Sequence, residues 1–146
     1  MKIFNEPGDQ PAKILTLTLP LKASWFEMTK AGIKTEDYRE ITPYWVKRLT
    51  RIYDEEDAQH AADYLSKERD PASKVSNFRY GFCLPKIFEV NIMTLGYPKS
   101  TYTGRILRLE HKRIKIATGN PDWGAEPNKL YFVIMHGKSD HPHPTQ

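Results

Sequence analysis

The sequence has a single cysteine, Cys83, among its 146 residues. One cysteine excludes an intrachain disulfide framework and suits a reducing compartment, and we expect Cys83 to be a buried apolar residue. No CxxC, HExxH or phosphate-loop pattern occurs. His141 and His143 lie close together near the C-terminus, but the sequence offers them no framework of further ligands. We therefore expect neither a metal site nor a cofactor.

Long apolar runs are also missing. No stretch approaches the roughly 18 consecutive apolar residues that a membrane helix requires, and the first residues lack the apolar segment of a secretory signal. The length and composition therefore predict one soluble, cytoplasmic domain with a substantial core, over residues 14–137. A start rich in proline and glycine predicts a flexible arm over residues 1–13. The polar C-terminus predicts a disordered tail from about His136, which we assign to 138–146.

Acidic and basic residues are separated along the chain. Residues 54–70 carry seven acids and two bases, whereas residues 79–119 carry eight bases and two acids. A basic half of this kind suits an anionic partner such as nucleic acid. The clustered charges of a solvated surface explain the same pattern, so the charge distribution does not by itself establish RNA binding.

The N-terminal part predicts one strand followed by one short helix. Residues 14–19 alternate so that Leu15, Leu17 and Leu19 share one face, which is typical of a strand, and we expect Pro20 to end it. Ser24 and Glu27 have the spacing of a capping box at the start of a helix. Gly32 suits the left-handed position just after the helix ends.

Two further helices are predicted. Thr42 and Pro43 are expected to be the N-cap and first residue of a second helix, whose core residues are Trp45, Leu49 and Ile52. The acidic segment at about 54–70 predicts an inserted third helix, because its first acids match the positive end of the helix dipole. Its packing stripe consists of small and aliphatic residues: Ala58, Ala61, Ala62 and Leu65.

The rest of the chain predicts mainly strands, at about 75–84, 87–95, 102–117 and 130–135. The charged residues 110–113 interrupt the third of these, which indicates a bulge or sharp bend. Five or six short strands combined with a few helices predict an α+β fold that is mainly β, in the form of a small mixed barrel.

Residues 34–40 are the most unusual stretch of the chain, because they read as a strand in which Tyr38 is the one large apolar group. A half-buried strand normally alternates apolar and polar residues. Such a strand is either a solvated edge, protected from aggregation by its charges, or the wall of a polar cleft. Alternation places Asp37 and Arg39 on one face. Lys34 can join them if it lies in the turn before the strand, as we expect.

The motif Gly32-x-Lys34-x-x-Asp37-x-Arg39 resembles the glycine–lysine–acid–arginine motif of the ASCH domain family, which are PUA-like barrels. Residues 38–45 and, about 80 residues later, residues 119–127 are similar to a bacterial and phage branch of that family. The resemblance covers about 15–137 with a poorly matched middle. It implies a small PUA-like mixed β-barrel with N-terminal helices flanking a cleft. It also implies that this motif lines the cleft and that RNA or a modified nucleoside occupies it.

The motif residues suit such a ligand chemically. Lys34 and Arg39 can neutralise a phosphate or hold a carbonyl group, and Asp37 can fix Arg39 or accept from a base amino group. Further candidate phosphate contacts are Lys47, Arg48 and Arg79. The alternative is that these side chains are simply solvated on the surface.

Three aromatic residues can stack on an unpaired base, a contact worth about 1–3 kcal/mol per base. They are Tyr38, Tyr80 and Trp123. Each has an alternative interpretation, because Tyr38 and Tyr80 also suit the core and Trp123 also suits a hydrophobic plug in its loop.

An enzymatic alternative comes from small ASCH members that hydrolyse an amide on acetylated cytidine, which resemble this chain at their catalytic lysine, here Lys34. This role requires that burial or a nearby cation lower the pKa of Lys34, so that a neutral amine is available. Those members carry a threonine where this chain has Asp37. Their catalytic glutamate has no aligned counterpart, which leaves Glu89 and Glu110 as candidates.

Three further alternatives stay open. Some relatives are ribonucleases, and the candidate catalytic set at the same cleft is Lys34, Asp37 and Arg39. A grouping of Lys34, Asp37 and His111 can also perform acid–base chemistry, although no sequence feature brings His111 to the motif. In the last alternative the chain is a protein-interaction module and its charged strand is simply an edge.

Overall fold

The chain folds into a five-stranded sheet with three α-helices, an α+β architecture that is mainly β, as the sequence predicts. The structure is a computed structural model that describes residues 15–67 and 84–139. Two short 3₁₀ turns, at Thr103–Arg105 and Pro121–Trp123, flank the fourth strand. In chain order, the elements are β1 (Thr16–Leu21), α1 (Ala23–Lys30), β2 (Glu36–Arg39), α2 (Pro43–Leu49), α3 (Glu55–Ser66), β3 (Val90–Leu95), β4 (Ile106–Thr118) and β5 (Leu130–Ser139).

The strand order in the sheet is β1-β3-β4-β5-β2. β1 pairs with β3 in parallel, and the other three pairs are antiparallel. The sheet curls into a half-barrel, so its two edge strands approach each other. The side chain of Arg39 on β2 spans the remaining gap, because its Nη2 donates to the carbonyl oxygen of Pro20 on β1 at 2.9 Å. The charged strand therefore closes one side of the half-barrel.

One apolar core fills the half-barrel and continues beneath the helices. On the sheet, Ile114 pairs with Ile134 and Ile116 with Phe132, which places four buried side chains on the inner face. α3 packs against α2 through the alanine stripe predicted for it, with Ala58 and Ala61 fully buried. The other large side chains of this core with at most 1% exposure are Leu17, Leu19, Phe26, Val46, Leu49, Leu65 and Met93.

Pro20 lies inside β1, so the expectation that it ends the strand is wrong. The carbonyl oxygens of Leu15 and Leu21 accept from Glu89 N at 2.9 Å and Gly96 N at 3.2 Å, on the side of β3. The even-numbered residues of β1 therefore direct their backbone groups to the open edge. Proline costs no ladder bond there, because the N–H that it lacks would face away from the partner strand.

The capping box predicted from Ser24 and Glu27 is also wrong. α1 begins at Ala23, and its N-cap is Lys22, which makes no side-chain cap bond. Phe26 N donates to Lys22 O at 2.9 Å, so the first helical turn already contains Ser24. The helix thus begins two residues too early for the serine hydroxyl to cap it.

Helices α2 and α3 begin where the sequence predicts. Thr42 is the N-cap of α2 and its hydroxyl accepts from Trp45 N at 3.3 Å, while Pro43 is the first helical residue. Asp54 caps α3 and accepts from Asp57 N at 3.0 Å. Both predicted helix starts are therefore confirmed.

The later strands differ from the sequence pattern mainly at their ends. The register between β4 and β5 shifts on either side of His111, which confirms the bulge predicted at 110–113. β5 continues through His136 to Ser139, where the sequence predicts the start of a disordered tail. His136 is buried because it lies opposite His111 and its ring contacts the side-chain amide of Asn91.

Some expectations concern parts of the chain that the structure does not describe. They are residues 75–83 of the strand predicted at 75–84, which carry Arg79, Tyr80 and Cys83, the arm at 1–13 and the last seven residues. Within the described ranges, none of the helices combines the length and the apolar character that a membrane crossing needs.

Candidate functional site

Lys34 lies in the turn between α1 and β2, as expected from the sequence. Gly32 makes the turn possible with a φ of 78°, a left-handed conformation that glycine adopts at little cost. Lys34 N then donates to Met28 O at 3.1 Å, which ties the turn to the end of the helix. As a result the side chain of Lys34 points inward and is only 2% exposed.

The three charged residues of the motif meet at the carboxylate of Asp37. Lys34 Nζ donates to Asp37 Oδ1 at 3.3 Å and to the carbonyl oxygen of Glu36 at 2.6 Å. Arg39 Nε donates to Asp37 Oδ2 at 2.6 Å. Asp37 is 5% exposed, so one buried carboxylate holds two cations. The convergence expected for Lys34, Asp37 and Arg39 is confirmed.

Burial is the main electrostatic influence on the lysine. It lowers the pKa of Lys34 from 10.5, because the charged ammonium loses hydration. The charge and hydrogen bond of Asp37 oppose this effect, while Arg39 adds to it. Burial likewise raises the pKa of Tyr38, whose hydroxyl donates to Glu36 Oε1 at 2.8 Å. Tyr38 is thus a neutral hydrogen-bonding side chain.

The motif opens on a concave cleft with aromatic walls. The cleft has a volume of about 210 Å³. Lys34 Nζ lies 5.9 Å from the ring centre of Trp25 and 5.6 Å from that of Tyr38, within the range of cation–π attraction. The residues that line the cleft are Pro20, Leu21, Lys22, Trp25, Lys34, Asp37, Tyr38, Arg39, Trp123, Gly124 and Tyr131.

The segment 119–127 forms the far wall of the cleft and is attached to the motif by direct contacts. Asn120 N donates to the hydroxyl of Tyr38 at 2.9 Å. Gly124, with a φ of 100°, lies so close to Trp25 of α1 that a Cβ there would be 3.0 Å from the indole ring. Trp123, which is half-buried, is held at the cleft by these contacts.

Sequence reasoning missed a polar chain of three residues inside the sheet, in which Asn91 and His136 are buried and His111 is half-buried. Asn91 Nδ2 is 2.7 Å from His136 Nδ1, and Asn91 Oδ1 is 2.8 Å from His111 Nδ1. The amide of Asn91 has one donating and one accepting end, so His136 Nδ1 accepts and His111 Nδ1 donates. Neutral His136 then carries its proton on Nε2, a buried atom that contacts no hydrogen-bond partner among the described residues.

The polar chain and the motif influence each other electrostatically. Burial lowers the pKa of His136 to about 4, while the charge of Asp37 raises it and those of Lys34 and His111 lower it. Burial also lowers the pKa of His111 to about 4. A polar asparagine within the apolar strand β3 was the one signal in the sequence that could have revealed this chain.

Other predicted residues lie away from the cleft. Lys47 forms an exposed ion pair with Glu55, so its charge is already matched. Glu89 and Glu110 are exposed and do not line the cleft. His111 reaches the motif region only through Asn91 and His136.

Arg48 is part of a stack on the surface of α2. Its guanidinium carbon lies 5.3 Å from the ring centre of Trp45 and 5.9 Å from that of Tyr44. The guanidinium carbon of Arg39 lies 5.0 Å from the same ring of Trp45. Trp45, which the sequence places in the core, is therefore half-buried between a cleft arginine and a surface arginine.

Comparison with known proteins returned nothing: the chain matches no family model, no curated protein and no solved structure. The ASCH resemblance therefore stays a prediction. Within residues 15–67 and 84–139, no three His, Cys, Asp or Glu side chains are grouped so as to hold a metal ion. The fold and the site define an α+β half-barrel protein with a polar, aromatic-walled cleft.

Proposed function

We propose that the chain binds an unpaired RNA base or a modified nucleoside in this cleft. The observation that carries the proposal is that Lys34, Asp37 and Arg39 face a concave space between aromatic side chains. A charged edge strand that only protects against aggregation would direct its charges into solvent. Here two of the three, Lys34 and Asp37, are buried.

The size of the cleft favours a small ligand. Its volume of about 210 Å³ lies below the range of roughly 300–1,000 Å³ that is usual for pockets of drug-sized molecules. One base with part of its sugar suits such a space, and a duplex does not. Stacking on Trp25, Tyr38 or Trp123 requires a base whose face is free.

The polar groups of the cleft can orient a bound ligand. Two protein acceptors contact Lys34 Nζ among the described residues, so one of its three donor hydrogens stays available for a carbonyl or phosphate oxygen. Arg39 is fixed by Asp37 and by Pro20 O, which presets its position before a ligand arrives. These are also the residues that carry the resemblance to ASCH domains, whose cleft is thought to accept RNA or a nucleoside.

A binding screen tests the proposal. Cytidine, acetylated cytidine and short single-stranded RNAs are titrated against wild type, Trp123→Ala and Lys34→Met. Removal of a stacking surface or of a charged hydrogen bond is expected to weaken binding by about tenfold or more. Tyr97→Ala and Lys30→Met, at exposed positions that do not line the cleft, are the matched controls and should bind as wild type does. Circular dichroism verifies that each variant is folded.

Two outcomes of the screen contradict the proposal. In the first, wild type binds none of these probes at low salt, as an interaction module with a merely charged edge would behave. In the second, both cleft variants retain wild-type affinity for a probe that binds.

A hydrolytic function is the second candidate, because burial lowers the pKa of Lys34 and so favours the neutral amine that a base or nucleophile requires. The ion pair with Asp37 works against it. Incubation with acetylated cytidine, followed by chromatography, tests for released cytidine. An amidohydrolase is supported if wild type releases cytidine and Lys34→Met does not. A ribonuclease is supported if wild type digests RNA and Lys34→Met does not. Binding without turnover of either substrate contradicts the hydrolytic candidate.

A further inference from the structure

The open edge of β1 carries a row of arginines that extends away from the cleft. The backbone groups of Thr16, Thr18 and Pro20 face this edge, at intervals of roughly 7 Å. Arg39 Nη2 donates to the oxygen of Pro20 at 2.9 Å, and Arg48 Nη2 donates to that of Thr18 at 3.1 Å. The two arginines also share the ring of Trp45 as a stacking partner. They therefore form a continuous basic path from the cleft along β1.

The path leads into a second, larger groove at the start of β1. The groove has a volume of about 550 Å³, and Thr16 and Arg48 are among the residues that line it. None of the described residues that line it is acidic. Its lining includes three cationic residues and one exposed aromatic residue: Arg48, Arg51, Lys86 and Tyr53.

Lys86 and Tyr53 give this basic groove a fixed cation beside an exposed aromatic ring. Lys86 Nζ donates to the oxygens of Lys47 at 2.8 Å and Arg48 at 3.2 Å, at the C-terminal end of α2. The same nitrogen lies 5.1 Å from the ring centre of Tyr53, which is 68% exposed. Arg51 is exposed at the rim. Burial and the charge of Arg48 lower the pKa of Lys86, in keeping with a locally positive field.

We propose that the basic groove binds the sugar–phosphate backbone of a single-stranded RNA, one base of which occupies the cleft. This inference rests on the proposed function and extends it from a nucleoside to a strand of several nucleotides. Spaced cations beside an exposed aromatic side chain are the features by which proteins follow single strands, since phosphates pair with the cations and an unpaired base stacks on the ring. A duplex offers no free base face to Tyr53.

The test compares a strand with a nucleoside. The probes are a fluorescent oligocytidylate of about 12 nucleotides, within the site sizes known for single-strand-binding folds, and free cytidine. Arg51→Glu is expected to weaken oligonucleotide binding about tenfold and to reduce the salt slope of log K by roughly 0.7 for each phosphate that the protein no longer neutralises. Tyr53→Ala is expected to weaken oligonucleotide binding about fivefold. Neither variant should change the affinity for cytidine.

Matched controls carry the same changes elsewhere. Lys67→Glu places a negative charge at the end of the acidic helix α3, and Tyr97→Ala removes an aromatic ring that is 93% exposed in the connection after β3. Both should bind the oligonucleotide as wild type does. Trp123→Ala should weaken the binding of both probes, because it alters the cleft.

The outcomes separate this inference from the proposed function. If Arg51→Glu and Tyr53→Ala bind the oligonucleotide as tightly as wild type, while Trp123→Ala no longer binds cytidine, the groove is not the strand path and the cleft proposal survives. If a duplex of the same length binds as tightly as the single strand, the groove proposal is overturned as well. If wild type binds neither probe, both proposals fail together.

Discussion

At the scale of single residues, Asp37 holds the candidate site together. Its two carboxylate oxygens receive hydrogen bonds from Lys34 and Arg39, and all three side chains are largely withdrawn from water. A buried ion pair adds little to stability relative to apolar residues, but removing one partner leaves an uncompensated charge. The arrangement therefore fixes the positions of the cations more than it stabilises the fold.

Asp37→Asn is predicted to lower the free energy of unfolding by about 3–5 kcal/mol, because it leaves the buried ammonium of Lys34 without its counter-ion. Urea denaturation followed by circular dichroism measures the change. The variant should also bind ligands of the cleft less well, since Arg39 loses its anchor.

Glu40→Gln is the matched control for that substitution. Glu40 also pairs with a lysine, Lys129, at 2.6 Å, but this pair is exposed. Its removal should cost at most about 1 kcal/mol. Equal decreases in the free energy of unfolding for the two variants would contradict the larger cost expected from the burial of the Asp37 pair.

At the scale of elements, the segment 119–127 connects β4 to β5 and forms one wall of the cleft. Its start is tightly packed, since a Cβ on Gly119 would lie 2.7 Å from Ala125 Cβ and 2.8 Å from the ring of Tyr38. The close packing of the segment therefore requires glycine at position 119. Its packing couples the stability of the connection to the shape of the cleft.

Gly119→Ala is predicted to lower the free energy of unfolding by about 1–3 kcal/mol, because the added methyl group overpacks the contact with Tyr38. The shift in the segment should also weaken ligand binding at Trp123. Gly104→Ala serves as the control, because a Cβ there meets no atom within 4 Å. A thermal midpoint for Gly119→Ala that equals the midpoint of the control would contradict the packing argument.

At the scale of the whole molecule, a polar chain of three side chains crosses the sheet. His111 on β4, Asn91 on β3 and His136 on β5 are linked by side-chain hydrogen bonds. Burial of neutral histidines makes stability depend on pH. In the unfolded chain His136 takes up a proton as the pH falls below about 6.5, whereas in the folded protein its pKa is about 4.

The stability contributed by neutral His136 is therefore complete above pH 6.5 and is lost as the pH falls towards 4. Between pH 7 and pH 5 the free energy of unfolding should decrease by about 2 kcal/mol through this residue. His136→Gln, which cannot titrate, is predicted to remove about half of the decrease over that range, because His111, whose pKa burial also lowers to about 4, contributes a similar part. Urea denaturation at a series of pH values measures both profiles.

His60→Gln is the control for the pH experiment, because His60 is exposed on α3. The stability of His60→Gln should depend on pH as that of wild type does. A His136→Gln profile as steep as that of wild type would mean that other groups cause the decrease in stability above pH 5.

The sequence by itself determined the features that depend on neighbouring residues. Thr42 and Pro43 start α2, alternation buries Leu17 and Leu19, and Gly32 allows the turn in which Lys34 lies. These features are governed by backbone conformation and by hydrogen bonds over a few residues, so the sequence pattern specifies them. The mainly β architecture followed from the same patterns.

Only the tertiary structure decided the features that need distant partners. Tyr38 meets Asn120 across 82 positions, Asn91 draws His136 into the interior, and the open edge of β1 accommodates Pro20. Lys47 lies near the motif in sequence, yet its pairing with Glu55 removes it from the candidate contacts. The physical reason is that burial and ion pairing depend on which strands and helices the fold places side by side, and no local pattern specifies those neighbours.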